Sequence, residues 1–79
     1  MNIYEETKAL AAALEARDVR KWPSLLRDAI DAGSTGTEII MRIQWTLNEM
    51  LSTSANVLTE EDRMRAQAIV FEVETLLSK

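Results

Sequence analysis

Neither cysteine nor histidine occurs anywhere in this 79-residue sequence. Without cysteine, disulfides and thiolate metal sites are excluded. Without histidine, the commonest general base and the commonest transition-metal ligand are both missing. Stability must therefore rest on packed side chains, and any catalysis would have to run on carboxylates, lysines or the single tyrosine. One proline and two glycines leave few natural break points, and apolar–polar alternation is almost absent, so strands are not expected. No run of about 18 apolar residues exists to cross a bilayer. Met1-Asn2-Ile3-Tyr4-Glu5-Glu6 is acidic and has no basic flank before an apolar core, unlike a secretory signal, so a cytoplasmic location is expected. Positive charge is also scarce: 9 Lys and Arg stand against 13 Asp and Glu, a net charge of −4. Nucleic acid is a poor main partner for such a chain, because phosphate binding needs a positive surface. A basic protein partner suits it better.

What is present is helical periodicity. The clearest stretch follows Thr35, with Ile39, Ile40, Ile43, Leu47, Met50 and Leu51 on one broad side and Arg42, Thr46 and Glu49 on another. Thr35 is placed to cap it, and Glu38 stands three residues on, within reach of the cap's own N–H. Gly33 suits a left-handed end to a preceding helix. A first helix is expected from Ile3 to about Ala16, capped by Asn2, with Ile3, Thr7, Leu10 and Leu14 as its stripe. Its many alanines have high helix propensity and allow close approach, so contact on more than one side is expected. Pro23 suits the first position of a short second helix ending at Ala32, with Trp22, Leu25, Leu26, Ala29 and Ile30 inward. Ser52 to Val57 is polar and small and reads as a loop. Thr59 caps a fourth helix that runs to about Leu77, with Glu60, Glu61 and Asp62 at its positive end. Its main apolar side comprises Ala66, Ile69, Val70, Val73, Leu76 and Leu77. The expected fold is all-α, one four-helix domain over residues 1–79 with short connections and a short second helix.

No catalytic constellation, cofactor site or metal site is expected. Glu60, Glu61 and Asp62 are consecutive and so diverge around the helix, fitting dipole complementarity better than acid–base work. Glu72 and Glu74 straddle Val73. The tetrad Ser34-Thr35-Gly36-Thr37 lacks the glycines and the Lys-Ser/Thr pair of a phosphate loop. Arg17, Arg20, Lys21 and Arg27 form the single basic cluster, read either as a solvated connection or as a patch for an acidic partner or a nucleic-acid backbone.

Apolar residues that miss the main stripes carry more information. Met41 and Trp45 lie nearly opposite Ile43 and Met50 on the third helix. Met64, Ala68 and Phe71 form a second stripe on the fourth, among Glu60, Glu61, Gln67, Glu72 and Glu74. Apolar anchors inside a charged rim have the anatomy of a protein interface. Burial is the competing reading, with Trp45 covered by the alanine-rich first helix, and a homodimer seam is a third.

The segment Asp31 to Ile39, running into Met41-Arg42-Ile43-Gln44-Trp45, resembles a turn in small bacterial helical proteins encoded beside toxins. The whole chain is similar in size, acidity and helical make-up to immunity proteins of contact-dependent inhibition and polymorphic toxin systems. That resemblance implies a cytoplasmic, non-enzymatic protein that binds a cognate toxin domain, often a nuclease, and blocks its active site or substrate groove. The contact residues expected on the interface reading are Glu60, Glu61, Met64, Phe71, Glu72 and Glu74, with Met41 and Trp45 as a second patch. The alternative is a homodimeric structural or regulatory helical protein without a toxin partner.

Overall fold

A computed structural model describes residues 1–78. The chain forms four α-helices, α1 (Ile3–Glu15), α2 (Lys21–Ala32), α3 (Gly36–Thr53) and α4 (Glu60–Leu77), with a 3₁₀ turn at Ala55–Val57. Among the described residues there is no strand. α1 packs on α2 and α4, and α3 packs on the same two helices, so α1 and α3 sit diagonally across the bundle. Leu10, Leu14, Leu26, Ile43, Leu47, Met50, Ile69 and Val73 meet at its centre without solvent exposure. The radius of gyration, 11.6 Å, is about that of a fully packed chain of this length.

α1 begins where Asn2 accepts the Glu5 N–H at 3.2 Å. Its end has a feature the sequence did not signal. The Val19 N–H bonds to the Leu14 carbonyl at 3.0 Å and the Asp18 N–H to Glu15 at 3.1 Å, the paired bonds of a Schellman ending. That ending holds Asp18 at φ 64°, a left-handed position where a Cβ is unfavourable. Asp18→Gly is therefore expected to raise stability by about 0.5–1 kcal/mol, read as a higher urea midpoint with an unchanged slope. The exposed Asp18–Arg20 pair that it removes contributes little. The alanines of α1 divide: Ala11 is fully buried, whereas Ala9, Ala12 and Ala16 face solvent.

α2 starts two residues earlier than the proline suggests, and is still the shortest helix. Pro23 lies within the first turn, where the missing N–H leaves no bond unmade, and it is buried beside Trp22. Leu25, expected inward, is 37% exposed, because it lies on the α3-facing flank rather than over the core. Gly33 is not left-handed, with φ −72° and ψ 138°. Its absent side chain has another cause. A Cβ there would collide with Ile39 Cγ1 and stand 3.1 Å from Ile39 Cα, so the α2–α3 turn closes only on glycine.

At the start of α3, Thr35 accepts the Glu38 N–H at 3.1 Å. The Glu38 carboxylate does not reach back to the cap, and accepts instead from the Ser34 hydroxyl at 3.0 Å and Arg42 Nε at 3.2 Å. α3 continues through Ser52 and Thr53, whose hydroxyls donate to the Glu49 carbonyl. Thr46, placed by periodicity on the polar side, is buried, its hydroxyl donating to the Arg42 carbonyl at 2.8 Å. At the far end of the chain, burial on α4 stops at Val73. Leu76 and Leu77, expected on the main apolar side, are 42% and 37% exposed because the last turn lies beyond the core cluster.

Candidate functional site

The outward face of α4 comes first. Successive residues of a helix turn by about 100°, so Met64, Ala68, Phe71 and Thr75 fall on one line opposite Ala66, Ile69, Val70 and Val73. The structure bears this out: Met64 and Phe71 are each 62% exposed while the opposite line is buried. Glu60 and Glu74, with Gln67 between them, flank the line on one side, and Glu61 and Glu72 on the other. Glu60, Glu61 and Glu74 are exposed and Glu72 is half-buried. None of these four glutamates makes an ion pair with another described residue. Arg63 and Arg65 also lie beside Met64, so the rim is acidic without being uniformly so. Arg65 lines a shallow depression of about 440 Å³ with Glu6, Glu60, Glu61, Met64 and Ala68.

Met41 and Trp45 project from the outer side of α3, 53% and 64% exposed. The first helix does not cover Trp45, because α1 stands diagonally opposite α3 rather than beside it. These two side chains form one wall of an open groove of about 660 Å³ between α2 and α3. Leu25 and Ala32 line the other side, and buried Ala29 and Thr46 form the floor. Sequence periodicity missed this feature. Leu25 and Ala32 are seven apart and share a flank with Asp28, but the stronger Trp22–Leu26–Ala29 stripe masks that second line.

Three of the four basic residues in and beside the α1–α2 connection, Arg17, Arg20 and Arg27, are paired internally. Arg27 Nη1 and Nη2 donate to the Glu15 carboxylate at 2.8 and 3.1 Å, joining α2 to α1. Arg20 pairs with Asp18 at 3.3 Å. Arg17 reaches across to α4, where both of its terminal nitrogens engage the Asp62 carboxylate. Lys21 lies over the Trp22 ring with its ammonium 4.8 Å from the centroid, within cation–π range. The cluster is therefore largely structural cross-linking rather than an open basic patch.

Asp62 is the centre of this arrangement. Besides complementing the helix dipole, it is 2% exposed, unlike Glu60 and Glu61. Its Oδ2 accepts the Thr59 N–H at 2.9 Å while its own N–H donates to Thr59 Oγ1 at 3.1 Å, completing a reciprocal capping box. Burial pushes its pKa up, but the Thr59 and Arg17 hydrogen bonds outweigh that and hold it below the ordinary aspartate value. Such a shift could mark a catalytic acid. Here every hydrogen-bond partner belongs to the cap or the α1–α4 bridge.

Among the described residues no three Cys, His, Asp or Glu side chains converge to hold a metal, and no helix is long and apolar enough to cross a membrane. The fold and its exposed faces define an all-α four-helix protein with two outward apolar surfaces. Comparison with protein-family models, curated proteins and solved structures returns no match.

Proposed function

We propose that this chain is an immunity-type protein that binds a cognate toxin domain, basic and nuclease-like, and neutralises it by occluding its active site or substrate groove. The observation that carries the reading is the Met64–Phe71 line: two large apolar side chains, each 62% exposed, on a helix face the core does not use. Glutamates that make no ion pair with another described residue supply the rim on both flanks, which also disfavours a second copy of the same face by like-charge contact. A nuclease holds phosphates in a basic groove, and an acidic helical surface entering it replaces that charge. Met41 and Trp45 form a second anchor patch on the neighbouring helix.

Co-purification with the tagged chain from the cells that encode it should yield a stoichiometric basic protein. Its association rate should fall at least about tenfold between low and high salt, as steering across a Debye length of about 10 Å at 0.1 M is screened. A rate independent of ionic strength rejects the charge argument. A tight dimer in sedimentation, with no captured partner, favours a homodimeric structural protein instead.

A further inference from the structure

The groove between α2 and α3 has a shape and a chemistry that the α4 face lacks. Its floor is Ala29 and Thr46, both nearly inaccessible, and its walls are Leu25 on α2 and Met41 and Trp45 on α3. Leu25 to Ala32 covers seven residues, about 10 Å of helix at 1.5 Å per residue, so two turns of a third helix would fill its length. Apart from Asp28 and Thr37, the polar groups nearby are already engaged. Thr46 donates to the Arg42 carbonyl, Thr35 caps Glu38, and the Glu38 carboxylate takes both Ser34 and Arg42. Few free donors or acceptors converge to orient a small polar ligand, which pockets for such ligands ordinarily provide. Apolar side chains at helical spacing need none.

Charge narrows the occupant further. Arg42 is neutralised by Glu38, whereas Asp28 on the rim makes no ion pair with another described residue. The groove therefore carries a net negative edge on a protein of net charge −4. A second copy could offer its Met64–Ala68–Phe71 line, but that line arrives flanked by Glu60, Glu61, Glu72 and Glu74 and would be repelled. We propose that the α2–α3 groove receives an amphipathic helix from a partner protein, with apolar residues at i, i+4 and i+7 and lysine or arginine on the flank facing Asp28. The groove takes in Met41 and Trp45, the second patch of the proposed toxin interface, but it uses no residue of the α4 face and does not require the partner to be a toxin.

A small set of synthetic peptides of about 14 residues, roughly four helical turns, tests this. Each carries Leu, Met or Phe at the three anchor positions and Lys on the flanks. Trp22 is buried and Trp45 exposed, so a blue shift in tryptophan emission on titration reports the groove. Binding in the micromolar range is expected from at least one member, with calorimetry giving the same constant. Replacing its lysines by glutamates, or scrambling its order, should weaken binding at least about tenfold, or 1.4 kcal/mol. Ala32→Trp, which fills the groove from an exposed position, and Asp28→Lys should each do the same. Phe71→Asp should leave the affinity within about twofold, which separates failure here from failure of the α4 reading.

Absence of binding by every member at about 1 mM overturns the proposal, as does equal binding of the scrambled peptide. Loss of binding in Phe71→Asp with none in Ala32→Trp places the helix site on α4 and also overturns it. A dimer in sedimentation that dissociates in Ala32→Trp makes a second copy the occupant and rejects the heterologous helix.

Discussion

Asp62→Ala is expected to lower stability by about 2–3 kcal/mol, enough to shift thermal unfolding down by roughly 10–20 °C in a domain of this size. Two losses combine. The bond from the Thr59 N–H to the carboxylate, about 0.5–1.5 kcal/mol, is lost while the Thr59 hydroxyl still accepts the backbone N–H of residue 62, and the charge-assisted bonds to Arg17 contribute about 1.5–3 kcal/mol. Arg17 keeps some access to water, its side chain being 38% exposed, so its orphaned charge adds little and the lower part of the sum applies. Asp62→Asn separates the two contributions, because its amide oxygen still accepts the Thr59 N–H while the charge is gone. It should fall between the wild type and the alanine variant.

The same carboxylate gives a pH dependence of fixed sign. Its folded-state pKa lies below the ordinary value of 3.8, so its stabilisation is complete above that value and is lost as pH falls towards the lower folded value. Glu15, lowered by its hydrogen bond and charge interaction with Arg27, acts in the same direction. Chemical unfolding measured from pH 6 downwards should show the gap between wild type and Asp62→Asn narrowing below about pH 4. A gap constant with pH would mean that the Arg17 bridge does not depend on charge.

Phe71→Asp combined with Glu72→Lys is expected to weaken partner binding by roughly a hundredfold or more while leaving unfolding nearly unchanged. Phe71 is 62% exposed, and substitutions at such positions usually fall within about ±0.5 kcal/mol. Aspartate in a helix interior adds only a few tenths. Burying a charge at an aromatic anchor, with a rim charge reversed beside it, removes at least about 2–4 kcal/mol of association. Calorimetry against the co-purified partner and a parallel urea melt check both halves. Collapse of the melt would show that Phe71 supports the core, and the α4 face would then not be a free surface. Phe71→Ala serves as the uncharged control, expected to lose affinity with no change in the salt dependence of association.

The helices and their starts were legible because they are local. Asn2, Thr35 and Thr59 each accept the N–H three residues on, as capping chemistry expects, and the Ile43–Leu47–Met50 and Ile69–Val73 stripes face inward as periodicity places them. Local rules failed where a distant partner intervened. Gly33 is glycine because Ile39 approaches its backbone, not because of its φ. Asp18 is left-handed where no glycine advertises it. Asp62 looked like one of three first-turn acids; its capping box with Thr59 is local, but the arrival of Arg17 from 45 residues away is not readable from nearby sequence.

For the candidate site the division is similar. Periodicity placed Met41, Trp45, Met64 and Phe71 off the main stripes, and the type and outward direction of those residues follow from sequence. Whether a neighbour covered them depended on which helices are adjacent. Setting α1 diagonally to α3 leaves Trp45 in solvent, and pairing α2 with α3 along Ala29 and Ala32 opens a groove that no single helix encodes. The sequence by itself determined four amphipathic helices, their caps and the absence of histidine and cysteine chemistry, since these depend on residue type and spacing within a few turns. The tertiary structure alone decided which apolar faces remain open and which charges are paired, since both depend on helices packed from separate parts of the chain.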